Sequence, residues 1–242
     1  MPGDEDPFAQ VGELEGIPSA MAAARDAFDA LLRDRGLRRS TADVTAESLL
    51  RGAAASAALE GSRYEVAALR AGGGDPLARA AVRLSTELLG LLPVWGRSPP
   101  QALARAHTLA AGGFTPAVDL GRPREDAGAV LRLAGLAARL SAPTRAPALV
   151  VAAIAHAEIV DTAPFASVNG VVARAAERLV LVSRGVDPAS VTVPETGHAQ
   201  REQEYRVALQ GYAAGGAGGV RDWLLYAARA YVAGVEASPL RG

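Results

Sequence analysis

Apolar residues recur at spacings of three and four along most of the chain, the period of helices with one buried face. Met21, Ala24, Phe28, Leu31 and Leu32 share such a face over 19–35, and Gly36 closes the helix after an N-terminal stretch, 1–17, that reads as a partly ordered arm. Ser40 and Thr41 are N-cap candidates for a helical pattern over 44–69, interrupted at Gly52 and at Glu60-Gly61. Residues 77–92 form another, ended by Pro93 and Gly96. Ser98 then caps a helix over 101–111 with proline in its first turn. After the loop 112–126 come helical patterns over 127–140, 148–162, 171–182 and 199–213; in the last of these Tyr205, Leu209 and Tyr212 face inward. The glycines of 215–219 connect to a final helix over 221–235. The pattern predicts an all-α fold of roughly ten helices, with at most a small hairpin near 114–124 and the apolar run 148–160 at its centre.

Composition narrows the classes. Half of the 242 residues are hydrophobic and the net charge is -1, which suits a globular chain with a sizeable core. That balance lacks the basic excess of a nucleic-acid binder. The longest apolar run falls short of the roughly 20 residues of a membrane span, and no leader pattern opens the chain, so a cytoplasmic location is expected. All 25 basic residues are arginine, which reads as coding bias. With no cysteine there is no disulfide, thiolate site or thiol nucleophile. His107, His156 and His198 fall on separate segments without HExxH or HxH spacing, so no metal site is expected. His107 reads as a packing or hydrogen-bonding residue. No GxSxG elbow, GxGxxG turn or P-loop is present.

The chemistry question concentrates in 153–174, AIAHAEIVDTAPFASVNGVVAR. An apolar helix breaks at Ala163-Pro164-Phe165, loops through Asn169-Gly170 and restarts as a helix carrying Arg174. Unpaired N–H groups at a helix start can hold an anion, and Arg174 could reach back over it. This layout resembles the Fic (Fido) domain motif, AHxxFxxIHPFx(D/E)GNGRxxR. His156, Pro164, Phe165, Asn169, Gly170 and Arg174 fall on it in register, and the likeness extends over about 44–235. Four positions depart. The motif histidine, which in the family takes the proton from a target hydroxyl, is Ala163; the acidic residue that holds magnesium is Ser167; a glycine is Val168; and the first arginine is Val171. Alanine cannot act as a base, and a serine hydroxyl is a poor ligand for a hard cation. No residue is therefore assigned a catalytic role. ATP and magnesium are expected only if the family activity, transfer of AMP to a protein hydroxyl, survives.

Ser56-Ala57-Ala58-Leu59-Glu60-Gly61 resembles the family's inhibitory motif, (S/T)xxxE(G/N), whose glutamate pairs with the motif's second arginine, here Arg174. Without a competing nucleotide the pair could equally be a structural clamp. Gly121-Arg122-Pro123-Arg124 resembles the opening of the family's flap, but a helical pattern follows almost at once, so the flap reads as shortened or absent. His156 lies two turns, about 10 Å, before Ala163, too far to replace the missing base, and suits a structural role. The expected organisation is an N-terminal arm and helix (1–43), a helical segment with the inhibitory-like motif (44–96) and a Fic-like core (97–236). Three functions stay open: an inactive pseudo-enzyme serving as an interaction or scaffold module, an AMP transferase with an atypical site, and a nucleotide or phosphate sensor. The expected partner is an unidentified protein or a second copy, and neither nucleic acid nor membrane.

Overall fold

A computed structural model describes residues 6–33 and 42–241. Among the described residues there are thirteen α-helical segments and no strand. The excess over the expected ten comes from short pieces that periodicity does not register. The first, α1 (Pro7–Gly12), corrects the reading of 1–17 as an arm: Asp6 caps it through the Ala9 amide, holds Thr144 and the Arg145 amide, and Phe8 is buried. Next, α2 (Ile17–Arg33) buries Ile17, Met21, Ala24, Phe28 and Leu31. The proposed caps at Ser40 and Thr41 lie outside the described residues.

Helix α3 (Ala42–Leu59) runs through Gly52 unbroken. The glycine is there for space: a Cβ would come within 2.8 Å of Arg178 Nη2 and Glu195 Oε2. Then follow α4 (Val66–Arg70) and α5 (Pro76–Glu87), capped by Asp75. Pro93 does not end a helix but sits in the first turn of α6 (Leu92–Trp95), where its missing N–H costs nothing. In α7 (Pro99–Ala111), Ser98 occupies the cap position without a side-chain cap bond. Between α7 and α8 (Ala127–Ser141) the chain makes a 3-10 turn, Ala117–Asp119, in place of a hairpin.

Helix α9 (Ala148–Thr162) is apolar on all sides and buried along almost its whole length, as only a central helix can be. It packs against α10 (Asn169–Ser183) across the loop 163–168. The helix expected over 199–213 begins three residues later, as α12 (Glu202–Ala214), after a separate short helix α11 (Pro194–Gln200), with Arg201 out of helical geometry between them. The glycines expected to form a connector instead begin α13 (Gly216–Glu236). Gly215 makes the turn at φ 82°, and Gly219 lets α13 approach the Gly211 carbonyl more closely than a Cβ would allow. Helix α13 packs on α2, α11 and α12, and its Trp223 indole N–H donates to the Ala153 carbonyl of α9 at 2.9 Å. The N-terminal helices are thus packed on the same core as the C-terminal ones.

Candidate functional site: the α9–α10 loop and its arginine

Helix α9 ends because Ala163 adopts a left-handed conformation (φ 43°, ψ 58°) just before Pro164. The turn is fastened from outside. Arg124 donates from Nε to the Ala163 carbonyl at 2.8 Å, and its backbone N–H donates to the Pro164 carbonyl at 2.7 Å. Phe165 is buried against His107, their rings stacked at 4.5 Å. His107 Nδ1 accepts from the Gly121 amide at 3.0 Å, and burial lowers its pKa against the opposing charge of Asp119. That histidine joins the 112–126 segment to the loop.

Asn169 closes the loop on itself. Its Oδ1 accepts from the Phe165 N–H and its Nδ2 donates to the Phe165 carbonyl, both at 2.9 Å. Val168 is left-handed at φ 49°, a strained state for a β-branched residue at a place where glycine would be relaxed. The Ser167 hydroxyl is bonded to that of Thr115 at 2.7 Å.

Arg174 is 1 % exposed and fully engaged with α3 and α12. Its Nε donates to Ser56 Oγ (2.9 Å) and its Nη2 to the Ser56 carbonyl (3.0 Å) and to Glu60 Oε1 (2.8 Å), while Nη1 donates to Tyr205 Oη (3.2 Å). Burial alone would favour loss of its charge, but Tyr205 and Glu60 outweigh it and hold the guanidinium charged. The Ser56 carbonyl belongs to the last turn of α3, so the cation also serves as a C-terminal cap. Gly61 turns the chain away from Glu60 at φ 92°. A Cβ on Gly170 would collide with Glu60 Oε1. Glu60 therefore lies against the start of α10, where an anion would have to sit.

The structure thus brings Ser56, Glu60, Asn169, Gly170 and Arg174 to one place, with Pro164 and Phe165 holding the loop beneath. His156 lies deeper, fully buried, with Nε2 2.9 Å from Tyr205 Oη; burial pushes its pKa down to about 4 despite the nearby Glu177. Beside the loop opens a pocket of about 410 Å³ lined by Glu60, Asp75, Pro76, Leu77, Phe114 and Val168.

Two buried networks were not anticipated. Arg178 grips both oxygens of Glu195 (2.9 and 2.5 Å) and donates to Ser48, Ser190 and Thr192. Glu177 meets His198 at 3.0 Å and Tyr231 at 2.9 Å, with His156 Nδ1 3.2 Å away. Two histidines from separate segments therefore converge on one carboxylate. A signal for both networks was present: Arg174, Glu177 and Arg178 are charges at i, i+3 and i+4 in an otherwise apolar helix, and a helix buried on all sides must supply them with partners.

No protein-family model matches the chain, and no curated protein does either. Solved structures match well. A Fic family protein from Desulfovibrio desulfuricans G20 superposes with a TM-score of 0.72 at 22% identity, over 88% of this chain and 73% of that one. Fic-1 (residues 134–508) from C. elegans gives 0.65 at 18% identity, over 90% and 70%. A glutamate-to-glycine variant of the same worm protein gives 0.62 at 18% identity. The chain has the all-α fold of Fic family proteins.

Proposed function

We propose that this Fic-fold chain is a pseudo-enzyme that serves as an interaction or scaffold module. The observation that carries the reading is the loop in front of α10, where Ala163 and Ser167 stand at the positions of the base and the metal ligand; Glu60, bonded to Arg174, also stands where a phosphate would bind. The neighbouring positions supply no chemistry. Ala163 has no titratable group, and the Ser167 hydroxyl is engaged with Thr115. ATP and magnesium have no fitting donor set, because the loop offers a hydroxyl and a methyl where a hard cation and a proton acceptor need carboxylate and imidazole. The adjoining pocket is lined by Asp75 as well as Glu60, and two carboxylates in its wall disfavour a polyphosphate, which weakens the sensor alternative. An interaction role has its own support. Of the large hydrophobic side chains left exposed, Phe114, Val118, Val130 and Leu131 cluster in sequence around the shortened flap.

The test is incorporation of labelled ATP by the Glu60→Gly protein, alone and with Ala163→His plus Ser167→Asp. A positioned base contributes roughly 10²- to 10⁴-fold, so its absence together with that of the metal ligand predicts a rate at background for Glu60→Gly alone. Metal-dependent labelling by Glu60→Gly alone refutes the pseudo-enzyme; calorimetric binding of ATP at micromolar strength without labelling favours the sensor instead.

A further inference from the structure

We propose that His156, Glu177 and His198 form a buried site for one divalent transition-metal ion of the zinc class, bound through His156 Nδ1, the Glu177 carboxylate and His198 Nε2. The three residues come from α9, α10 and α11, each side chain is 0% exposed, and the three ligand atoms lie within 4.8 Å of one another.

Four observations converge on an ion. The first is charge. Glu177 is a fully buried carboxylate that no arginine among the described residues pairs with: Arg174 is committed to Ser56, Glu60 and Tyr205, and Arg178 to Glu195 and its neighbours. The cationic partners within reach are the two imidazoles, at 3.0 and 3.2 Å and charged only when protonated, and a metal ion held by both would supply that charge without a proton. The second is an orphaned nitrogen. Among the described residues His156 Nδ1 has no hydrogen-bond partner although Glu177 Oε2 lies 3.2 Å away, because the ring is turned off the line joining them. Misalignment is a defect in a hydrogen bond and a requirement in a metal site: an ion about 2.1 Å from both atoms lies roughly 40° off that line.

The third is the outer support. The far atom of every ligand is held by a different tyrosine hydroxyl, each at 2.9 Å: Tyr205 at His156 Nε2, Tyr226 at His198 Nδ1 and Tyr231 at Glu177 Oε1. In the tautomers that carry their protons on His156 Nε2 and His198 Nδ1, facing Tyr205 and Tyr226, both inner nitrogens present lone pairs towards the carboxylate, and these are the tautomers an ion between them would select. Such outer partners fix the tautomer and orientation of ligating imidazoles. The fourth is ligand type. Two imidazoles and one carboxylate suit zinc, cobalt or iron and select against calcium and magnesium, which take oxygen donors. Trp223, stacked on His198 at 6.3 Å, walls the site with apolar surface.

An enclosed site of this kind ties three helices and loads as the chain folds rather than afterwards. Tyr205 bridges it to the clamp, since the same hydroxyl contacts His156 and Arg174.

The test uses the untagged full chain expressed in zinc-supplemented medium and purified without chelator, with metal counted by mass spectrometry. About one equivalent is expected in the wild type and less than a tenth of that in Glu177→Gln, which keeps the size of the side chain. Tyr226→Phe leaves the ligands in place and is expected to lower the affinity about 10- to 100-fold. A chain refolded with cobalt is expected to show the strong visible absorption of a low-coordinate cobalt centre, absent in Glu177→Gln. A metal-free wild type from cells whose thermal midpoint zinc does not move on refolding overturns the proposal and leaves a hydrogen-bonded network. Equal metal in wild type and Glu177→Gln overturns it as well, by placing the ion elsewhere.

Discussion

Cutting the Glu60–Arg174 pair from each side should have unequal consequences, because the two partners differ in burial. Glu60 is 31% exposed at its side chain and Arg174 only 1%. When Arg174 is replaced by alanine, Glu60 can turn to water, but Ser56 Oγ, the Ser56 carbonyl and Tyr205 Oη lose donors inside the core and a side-chain-sized void opens between α3, α10 and α12. Stranding three buried acceptors and opening that void costs about 3–5 kcal/mol. When Glu60 is replaced by alanine, Arg174 keeps its three neutral acceptors and loses one charge-assisted hydrogen bond. Such a bond contributes about 1.5–3 kcal/mol, and the partial exposure of Glu60 reduces this to about 1–2.

In a chain of this length each kcal/mol moves the melting midpoint by about 2–4 °C, so Arg174→Ala should lower it by roughly 6–20 °C and Glu60→Ala by roughly 2–8 °C. The decisive measurement is the double-mutant cycle by urea unfolding. In the Arg174→Ala background, Glu60→Ala should cost close to nothing, giving a coupling of about 1–2 kcal/mol. If Glu60→Ala costs as much in that background as in the wild type, the carboxylate does not act through Arg174. If the two single substitutions cost the same, the burial argument is wrong.

Other changes probe the loop and the core. Ala163→Gly should raise the melting midpoint, because the left-handed conformation at φ 43° penalises an L-residue by about 1–2 kcal/mol, of which glycine returns only part in chain entropy. Gly197→Ala should abolish stable folding or lower the midpoint sharply, since a Cβ there runs into the Ala230 carbonyl where α11 crosses α13. His107 gives a pH signature. Its pKa is lowered in the folded chain, so as pH falls below about 6.5 the unfolded chain takes up the proton first, and stability drops towards the folded value. His107→Gln should reduce the slope of a melting-against-pH curve in that range, leaving the part that His156 contributes between about 6.5 and 4, and an unchanged slope would show that the burial of the His107 ring does not matter.

The fold was legible because its centre carries two independent signals. Residues 148–160 are apolar beyond what one buried face requires, and the motif-like spacing from His156 to Arg174 fixes a helix, a break and a second helix. The place of the break was also written in the residues, through Pro164, while the pairing of Asn169 with Phe165 that closes the loop emerged only from the structure. Other features were hidden because one residue type serves several purposes. Gly52 and the glycines of 216–219 look like breaks, yet they sit in helices, and Gly52 and Gly219 permit close approach. Pro93 reads as a stop and serves as a start, because the first turn of a helix needs no N–H from it.

The convergence of His156 and His198 was hidden for a different reason. Their 42-residue separation includes a helix, a loop whose shape is set by Asp187 accepting from the Val191 and Thr192 amides, and the Arg178–Glu195 pair that draws α11 onto α10. Ligand spacing finds sites built within one helix or turn, because there the backbone alone sets the distances. Here the distances depend on tertiary contacts, and the only local trace is Glu177 on an apolar helix. A carboxylate in that position cannot be solvated, so its presence demands a cation or donors from another element. Buried charge in a helix with no exposed face is therefore the feature that spacing rules overlook, and in this chain it marks both the clamp at Arg174 and the cluster beneath it.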